Sequence, residues 1–402
     1  MTDFRLFLAG RFLSVLATQM QAVAVGWHLY DLTGNPMTLA FAGLAAFIPI
    51  AVLTLPAGEL ADRVDRRWLL GAAHLIQASG AAFLLVLVFT KTTATWPFYV
   101  ALVLSGATRA LYGPASSSFL PLLVSRERFA QSVAWSASAH QIATIAGPAL
   151  GGAIYLAGPS VVFAACLTLA LLAATAMLVI RTRVVADKDT SGASALQRAV
   201  AGLRFVLGQP ILFGAISLDL FAVLIGGVNA LLPVFARDIL HVGPDGLGVM
   251  RSMVAVGAIG TSLALAQLPE SRQPPAGKAI FGGVALFGVA AVVFSLSNNF
   301  VLSLAALALL GAGDSMSVFV RATIVQLATP QDMRGRVSAI HVLFVGCTNE
   351  LGEFRAGAMA AWLGVVPAAL AGGIGTLLIV AIWTQLFPRL RRVNRLSEVA
   401  PR

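Results

Sequence analysis

Runs of about 20 apolar residues recur along the whole chain, and a helix of that length crosses the hydrocarbon core of a bilayer. Hydrophobic residues make up 58% of the 402 and charged residues only 11%. Lipid offers no partner to backbone N–H and C=O groups, so each crossing must satisfy its own by coiling into a helix. The runs fall at 7–29, 38–60, 68–90, 97–120, 131–156, 160–180, 211–236, 246–268, 279–297, 300–324, 337–361 and 365–387. The expected fold is all-α and integral to the membrane, with twelve transmembrane helices.

Basic residues test that count. With a cytoplasmic N-terminus, twenty Lys and Arg fall in segments on the inside, and only Lys91 and Arg237 fall outside. That split follows the positive-inside rule, and a missed crossing would have scrambled it. Both termini are expected in the cytoplasm. The net charge of +10 then reads mainly as a topological determinant, with anionic lipid as its partner. Basic residues dispersed over short loops give no track for nucleic acid. Cys166 and Cys347 lie inside spans and read as small apolar residues, not as a disulfide or metal site.

The longest hydrophilic stretch, 181–210, divides the spans six and six. The expected organisation is a bundle over 1–180, a cytoplasmic linker over 181–210, and a second bundle with a basic tail over 211–402. Within the linker, Leu196, Val200, Leu203 and Leu207 share one helical face, as in an amphipathic surface helix. The halves repeat: a shift of about 205 residues lays Gly106 on Gly311, Gly147 on Gly352 and Arg109 on Asp314. Duplicated halves with a site at mid-membrane are an architecture of secondary transporters.

Polar residues inside the spans cost about 3 kcal/mol each when charged, so they are expected to face a cavity or a partner. The first span carries Arg11, Ser14, Thr18 and Gln21 on one face. The fourth carries Ser105, Arg109, Tyr112 and Ser116, and the tenth carries Asp314, Ser317 and Arg321. Such stripes imply a wet lumen or a polar seam between helices. Asp219 lies in the seventh span, and Glu350, Glu353 and Arg355 crowd the eleventh.

The loop after the second span reads GELADRVDRR, Gly58 to Arg67. It resembles the cytoplasmic loop signature of the major facilitator superfamily, with Asp65 where that family usually has glycine. In the family this loop latches the outward-facing state, which assigns Gly58, Asp62, Arg63, Arg66 and Arg67 to a conformational role. Gly58 is expected to allow close helix approach, Asp62 to face a helix N-terminus, and the three arginines to meet acids or lipid phosphates. Arg109 and Gly113 resemble the family's Arg-x-x-x-Gly element. GPALGG, with Gly147, Pro148, Gly151 and Gly152, resembles the tail of its antiporter motif, although two upstream glycines are Ala134 and Ala143 here. YDLTGNP, QLATPQDMRGRVSA and NELGEFRAG are similar to the branch that contains the enterobactin exporter and macrolide efflux proteins.

That resemblance implies a cavity lined by the first, fourth, seventh and tenth helices. The candidate cavity residues are Arg11, Thr18, Gln21, Arg109, Tyr112, Asp219, Asn229, Asp314 and Arg321. Proton coupling needs a carboxyl whose proton affinity changes with its surroundings, and Asp314, Glu350, Glu353 and Asp219 are the candidates. The repeat suggests Arg109 and Asp314 as a pair across the cavity. The implied function is proton-coupled export of a small apolar or amphipathic compound, siderophore-like or drug-like, from a bacterial cytoplasmic membrane. Proton-coupled import of a small solute is the alternative. No H-E-x-x-H, no Walker loop and no paired nucleophile and histidine occurs in a span, so no enzyme is expected, and no cofactor or metal. The expected partners are a small molecule, protons and the bilayer, and the resemblance implies a monomer.

Overall fold

The computed structural model describes residues 2–182, 195–269, 274–330 and 333–394; some side chains within its helices, including Asp62, Arg63, Arg334 and Arg336, lie outside that description. Helices account for every regular element among the described residues, and no strand occurs there. They are α1 (Thr2–Thr33), α2 (Pro36–Arg63), α3 (Arg66–Phe89), α4 (Trp96–Phe119), α5 (Phe129–Tyr155), α6 (Pro159–Val179), α7 (Ala195–Gly208) and α8 (Pro210–Gly226). After them come α9 (Leu232–Val234), α10 (Pro244–Gln267), α11 (Ala276–Leu296), α12 (Phe300–Ala328), α13 (Arg334–Leu363), α14 (Val365–Leu386) and α15 (Pro388–Arg391).

Among the described residues, nine segments are long and apolar enough to cross a membrane. One of them, Pro210–Ile239, joins α8, a tight turn at Asn229–Leu231, α9 and a widened turn at Phe235–Ile239 into a single crossing. The remaining three expected crossings fall on α4, α5 and α13, which are long enough but carry more polar residues. Many large apolar side chains point outward, Val52, Phe89, Trp96 and Val301 among them, as a lipid-facing surface requires.

Two compact units make up the chain, one of Met1–Ala195 with His241–Ser252, the other of Leu196–Leu240 with Met253–Arg402. The first half of α10 therefore belongs to the first unit, and α7 to the second. Within α7, Val206 is buried against Leu212 and Ile280, while Val200 and Leu207 stay exposed.

Each unit builds the same pairings. In the first, α1 packs on α5 and α6, α2 on α4, and α3 on α4 and α6. In the second, α8 packs on α13 and α14, and α11 on α12 and α14. Glycines mark the tightest crossings. A Cβ on Gly106 would collide with the Ala46 carbonyl of α2, and one on Gly311 with the Val254 carbonyl of α10. Gly147 likewise meets the Leu16 backbone of α1, and Gly352 the Val223 backbone of α8. Small residues of this kind let helix backbones approach where no hydrophobic force drives association.

Local signals start and stop the helices. Asn35 caps α2 by accepting from Met37 N at 2.9 Å, with Pro36 at the first helical position. Asp65 caps α3 by accepting from Arg67 N at 3.0 Å, and Asn299 caps α12 by accepting from Leu302 N at 3.0 Å. Gly158 (φ +116°) turns the chain between α5 and α6, and Gly364 (φ +89°) does so between α13 and α14. A side chain would strain either backbone.

Candidate functional site

In the first unit the polar stripe of α1 meets α3 and α4. Ser14 Oγ donates to Gln77 Oε1 at 2.7 Å, and Gln77 Nε2 donates to Ser14 O at 3.0 Å and to Thr18 Oγ1 at 2.9 Å. Ser14 and Thr18 thus lie in a closed seam between helices. Gln21, one turn on, is buried. Arg11 Nη1 reaches Ser116 Oγ of α4 at 3.4 Å. Tyr112 is packed on His74, ring centroids 5.3 Å apart, and Arg109, one turn before it on α4, is exposed.

His74 and Gln77 were not singled out by the sequence reading. A lone histidine and glutamine in an apolar helix give no spacing signal, and only the rotation of α3 brings His74 to Tyr112 and Gln77 to Ser14. His28, by contrast, is a packed and bonded histidine: its Nδ1 lies 2.8 Å from Tyr155 Oη and its ring 5.2 Å from that of Phe98.

In the second unit the carboxylate of Asp219 on α8 forms an ion pair with Arg321 on α12. Both side chains are nearly sealed, at 10% and 3% exposure. On one side of Asp219 a small recess is lined by Ile216, Leu220, Phe344, Val345 and Thr348 with Arg321. On the other, a second recess is lined by Ala222, Val223, Val284, Phe287, Asp314 and Ser317. Two carboxyls and a guanidinium are therefore held together among apolar walls. The Trp383 indole of α14 donates to Ser217 Oγ at 3.0 Å and fixes α8 from behind. The partner found for Arg321 was not foreseen. The repeat had suggested Arg109 with Asp314, residues that stand in different units, whereas the ion pair inside the second unit is Asp219–Arg321.

On α13, Glu350 is buried and Glu353 half-buried. Arg355 Nη1 donates to Met359 Sδ at 2.9 Å. Asn229 is exposed at the tight turn that follows α8. Among the described residues no cluster of His, Cys, Asp and Glu is arranged to hold a metal ion. Cys166 is buried, with its thiol 3.5 Å from Ala17 O.

The loop from Gly58 to Arg67 has specific ties at its end. Arg66 Nε donates to Ser118 Oγ at 3.1 Å, and Arg67 Nη1 donates to Ile180 O at 2.8 Å, so these two arginines bind helix ends. A Cβ on Gly58 would meet nothing within 4 Å, so close approach is not its role among the described residues. The side chains of Asp62 and Arg63 lie outside the described set. In GPALGG, Gly151 lies on the Met20 backbone of α1, Gly152 on Pro244 and Asp245, and the Pro148 carbonyl on Gly248, all inside the first unit. This is a packing face of small residues that sets α5 against α1 and α10.

The family described as transmembrane secretion effector matches residues 1–401. The chain belongs to that family, within the major facilitator superfamily. Among its relatives, the chain is 26% identical to macrolide efflux protein A of Streptococcus pyogenes over 62% of its length, an alignment that spans only 63% of that protein. It is 24% identical to the enterobactin exporter EntS of Escherichia coli over 98% of the chain and 93% of that protein. Its fold is that of the nucleoside transporter NupG (TM-score 0.76, 12% identity, 96% of this chain and 100% of that one). A bacterial homologue of the lysosomal transporter Spinster, in an inward-facing form, is similar too (TM-score 0.74, 14% identity, 98% of each chain). The protein is a multi-pass membrane transporter, not an enzyme.

Proposed function

We propose that this transporter exports a small apolar or amphipathic compound, siderophore-like or drug-like, by proton antiport with alternating access. In this reading it sits in a bacterial cytoplasmic membrane with both termini inside. The observation that carries the reading is the group of Asp219, Arg321 and Asp314 in the second unit, set among Phe287, Val284 and Ala222. Among the described residues no hydrogen bond or ion pair ties Asp314, whereas Asp219 is held by a guanidinium. One carboxyl is thus fixed in place by its countercharge, and the other is available to take up and release a proton. A carrier couples its cargo to protons when the surroundings of such a carboxyl change between the inward and outward states. Relatives named for efflux and export support the outward direction.

Purified protein in proteoliposomes under an imposed pH gradient tests this, with siderophores, macrolides and lipophilic cations added in turn. The expected result is proton movement triggered by one class of compound and opposite in direction to its flux. Movement of compound and proton in the same direction would replace export with proton-coupled import. Compound flux indifferent to the gradient would remove proton coupling.

A further inference from the structure

The two units treat their buried charge differently. In the second, Asp219 answers Arg321. In the first, the acids of the long helices lie only near their ends: none occurs between Asp3 and Asp31, between Asp31 and Glu59, between Asp65 and Glu127, or on α5 and α6. Arg11, His74, Arg109 and His140 nevertheless stand well inside α1, α3, α4 and α5. The Arg11 guanidinium calls for a countercharge at that depth, and the acids of α1, α3, α4, α5 and α6 do not lie there.

Arg11 is at the centre of a group of unsatisfied donors. Its buried Nε has no hydrogen-bond partner, and its contact with Ser116 at 3.4 Å is long. Tyr112 of α4 and His140 of α5 are within electrostatic reach of it. The Tyr112 hydroxyl is buried without a partner. His74, packed on the Tyr112 ring, is 0% exposed, and neither ring nitrogen makes a hydrogen bond among the described residues. Gln77 approaches that ring, but its amide is spent on Ser14 and Thr18. Gly113, the next residue of α4, is exposed, and a Cβ there would meet nothing within 4 Å. Buried polar groups are bonded in nearly all proteins, so the Arg11 Nε, the Tyr112 hydroxyl and the His74 ring nitrogens, buried without partners, mark the place of an absent acceptor.

We propose that Arg11, Tyr112 and His74 form an oxyanion-recognition site in the first unit, which takes the carboxylate, phenolate or phosphate of an acidic amphipathic cargo. The proposal rests on the export reading for the word cargo, and it narrows that cargo to compounds bearing an acidic oxygen. Arginine is the fitting centre, because its planar fork matches carboxylate and phosphate oxygens and stays protonated at any working pH. The same chemistry would suit an anionic lipid headgroup, and the test separates the two sources.

The full chain is placed in phosphatidylcholine nanodiscs, and binding of 2-naphthoate is compared with that of its neutral isostere 2-naphthamide. The acid is expected to bind about tenfold tighter, as one charge-assisted contact implies. Arg11→Gln should erase that preference, Arg11→Lys should keep part of it, and Lys91→Gln should leave it intact. Tyr112→Phe and His74→Leu remove a donor without removing a fixed charge, so they keep the test open should Arg11→Gln fail to fold. Each should weaken the acid several-fold and leave the amide unchanged. Equal binding of acid and amide, or a full preference in folded Arg11→Gln, would overturn the site. Repeating the measurement with phosphatidylglycerol in the disc assigns the source: persistence of acid binding supports the cargo, and competitive loss through Arg11 overturns the cargo in favour of lipid. Acid preference without proton flux would count against antiport alone, and proton flux without acid preference against this site alone.

Discussion

Arg321 of α12 and Asp219 of α8 form an ion pair inside the second unit, where neither side chain reaches solvent freely. A buried pair of this kind contributes little net stability, but removing one partner strands the other. Asp219→Asn alone is therefore expected to cost about 3–5 kcal/mol, and the double variant Asp219→Leu with Arg321→Met to recover most of it. Thermal unfolding in nanodiscs measures both. A single variant as stable as wild type would show that the pair is not desolvated.

The repeat is written in backbone contacts, and it predicts where a methyl group is not tolerated. Gly106→Ala and Gly311→Ala each push a Cβ into a carbonyl of the crossing helix and are expected to cost about 1–3 kcal/mol. Gly260→Ala, on α10 with nothing within 4 Å, should be neutral or mildly stabilising. Unfolding midpoints of the three variants compare the sites directly.

Asp65 stands where the superfamily loop usually has glycine, and the structure gives it work as the N-cap of α3. Asp65→Ala is expected to cost about 1 kcal/mol and Asp65→Asn little, while Asp65→Gly should cost a few tenths. Equal stability of all four forms would remove capping as the reason for the departure.

How much of this was readable beforehand follows from what each signal depends on. The helices were legible because hydropathy and the side of each Arg and Lys are properties of the chain itself. Asp314, Arg321, Asp219 and Arg11 stood out for the same reason, as charges inside apolar runs. Their partners did not, because a partner is fixed by the rotation of one helix against another. Asp219 with Arg321, and Ser14 with Gln77, are pairs that no spacing in the sequence announces. A single histidine such as His74 has no period in the sequence to betray it. Asp65 was noticed only as a departure, and its capping bond explains it.

Orientation can be read chemically. In a background with Cys166 and Cys347 replaced by Ala, Lys91→Cys is expected to react with a membrane-impermeant maleimide in intact cells. Ser191→Cys, in the stretch after α6, should react only after permeabilisation. The reverse pattern would invert the topology and the direction of transport with it.

The central claim is that Asp314 carries the coupled proton. Its most direct test compares wild type with Asp314→Asn in proteoliposomes, measuring pH-driven accumulation and gradient-free exchange of the same labelled compound. The account predicts that the variant loses accumulation yet keeps exchange, because the cargo still binds and the carrier still alternates. Accumulation by Asp314→Asn equal to that of wild type would contradict it and move the proton to Asp219, Glu350 or Glu353.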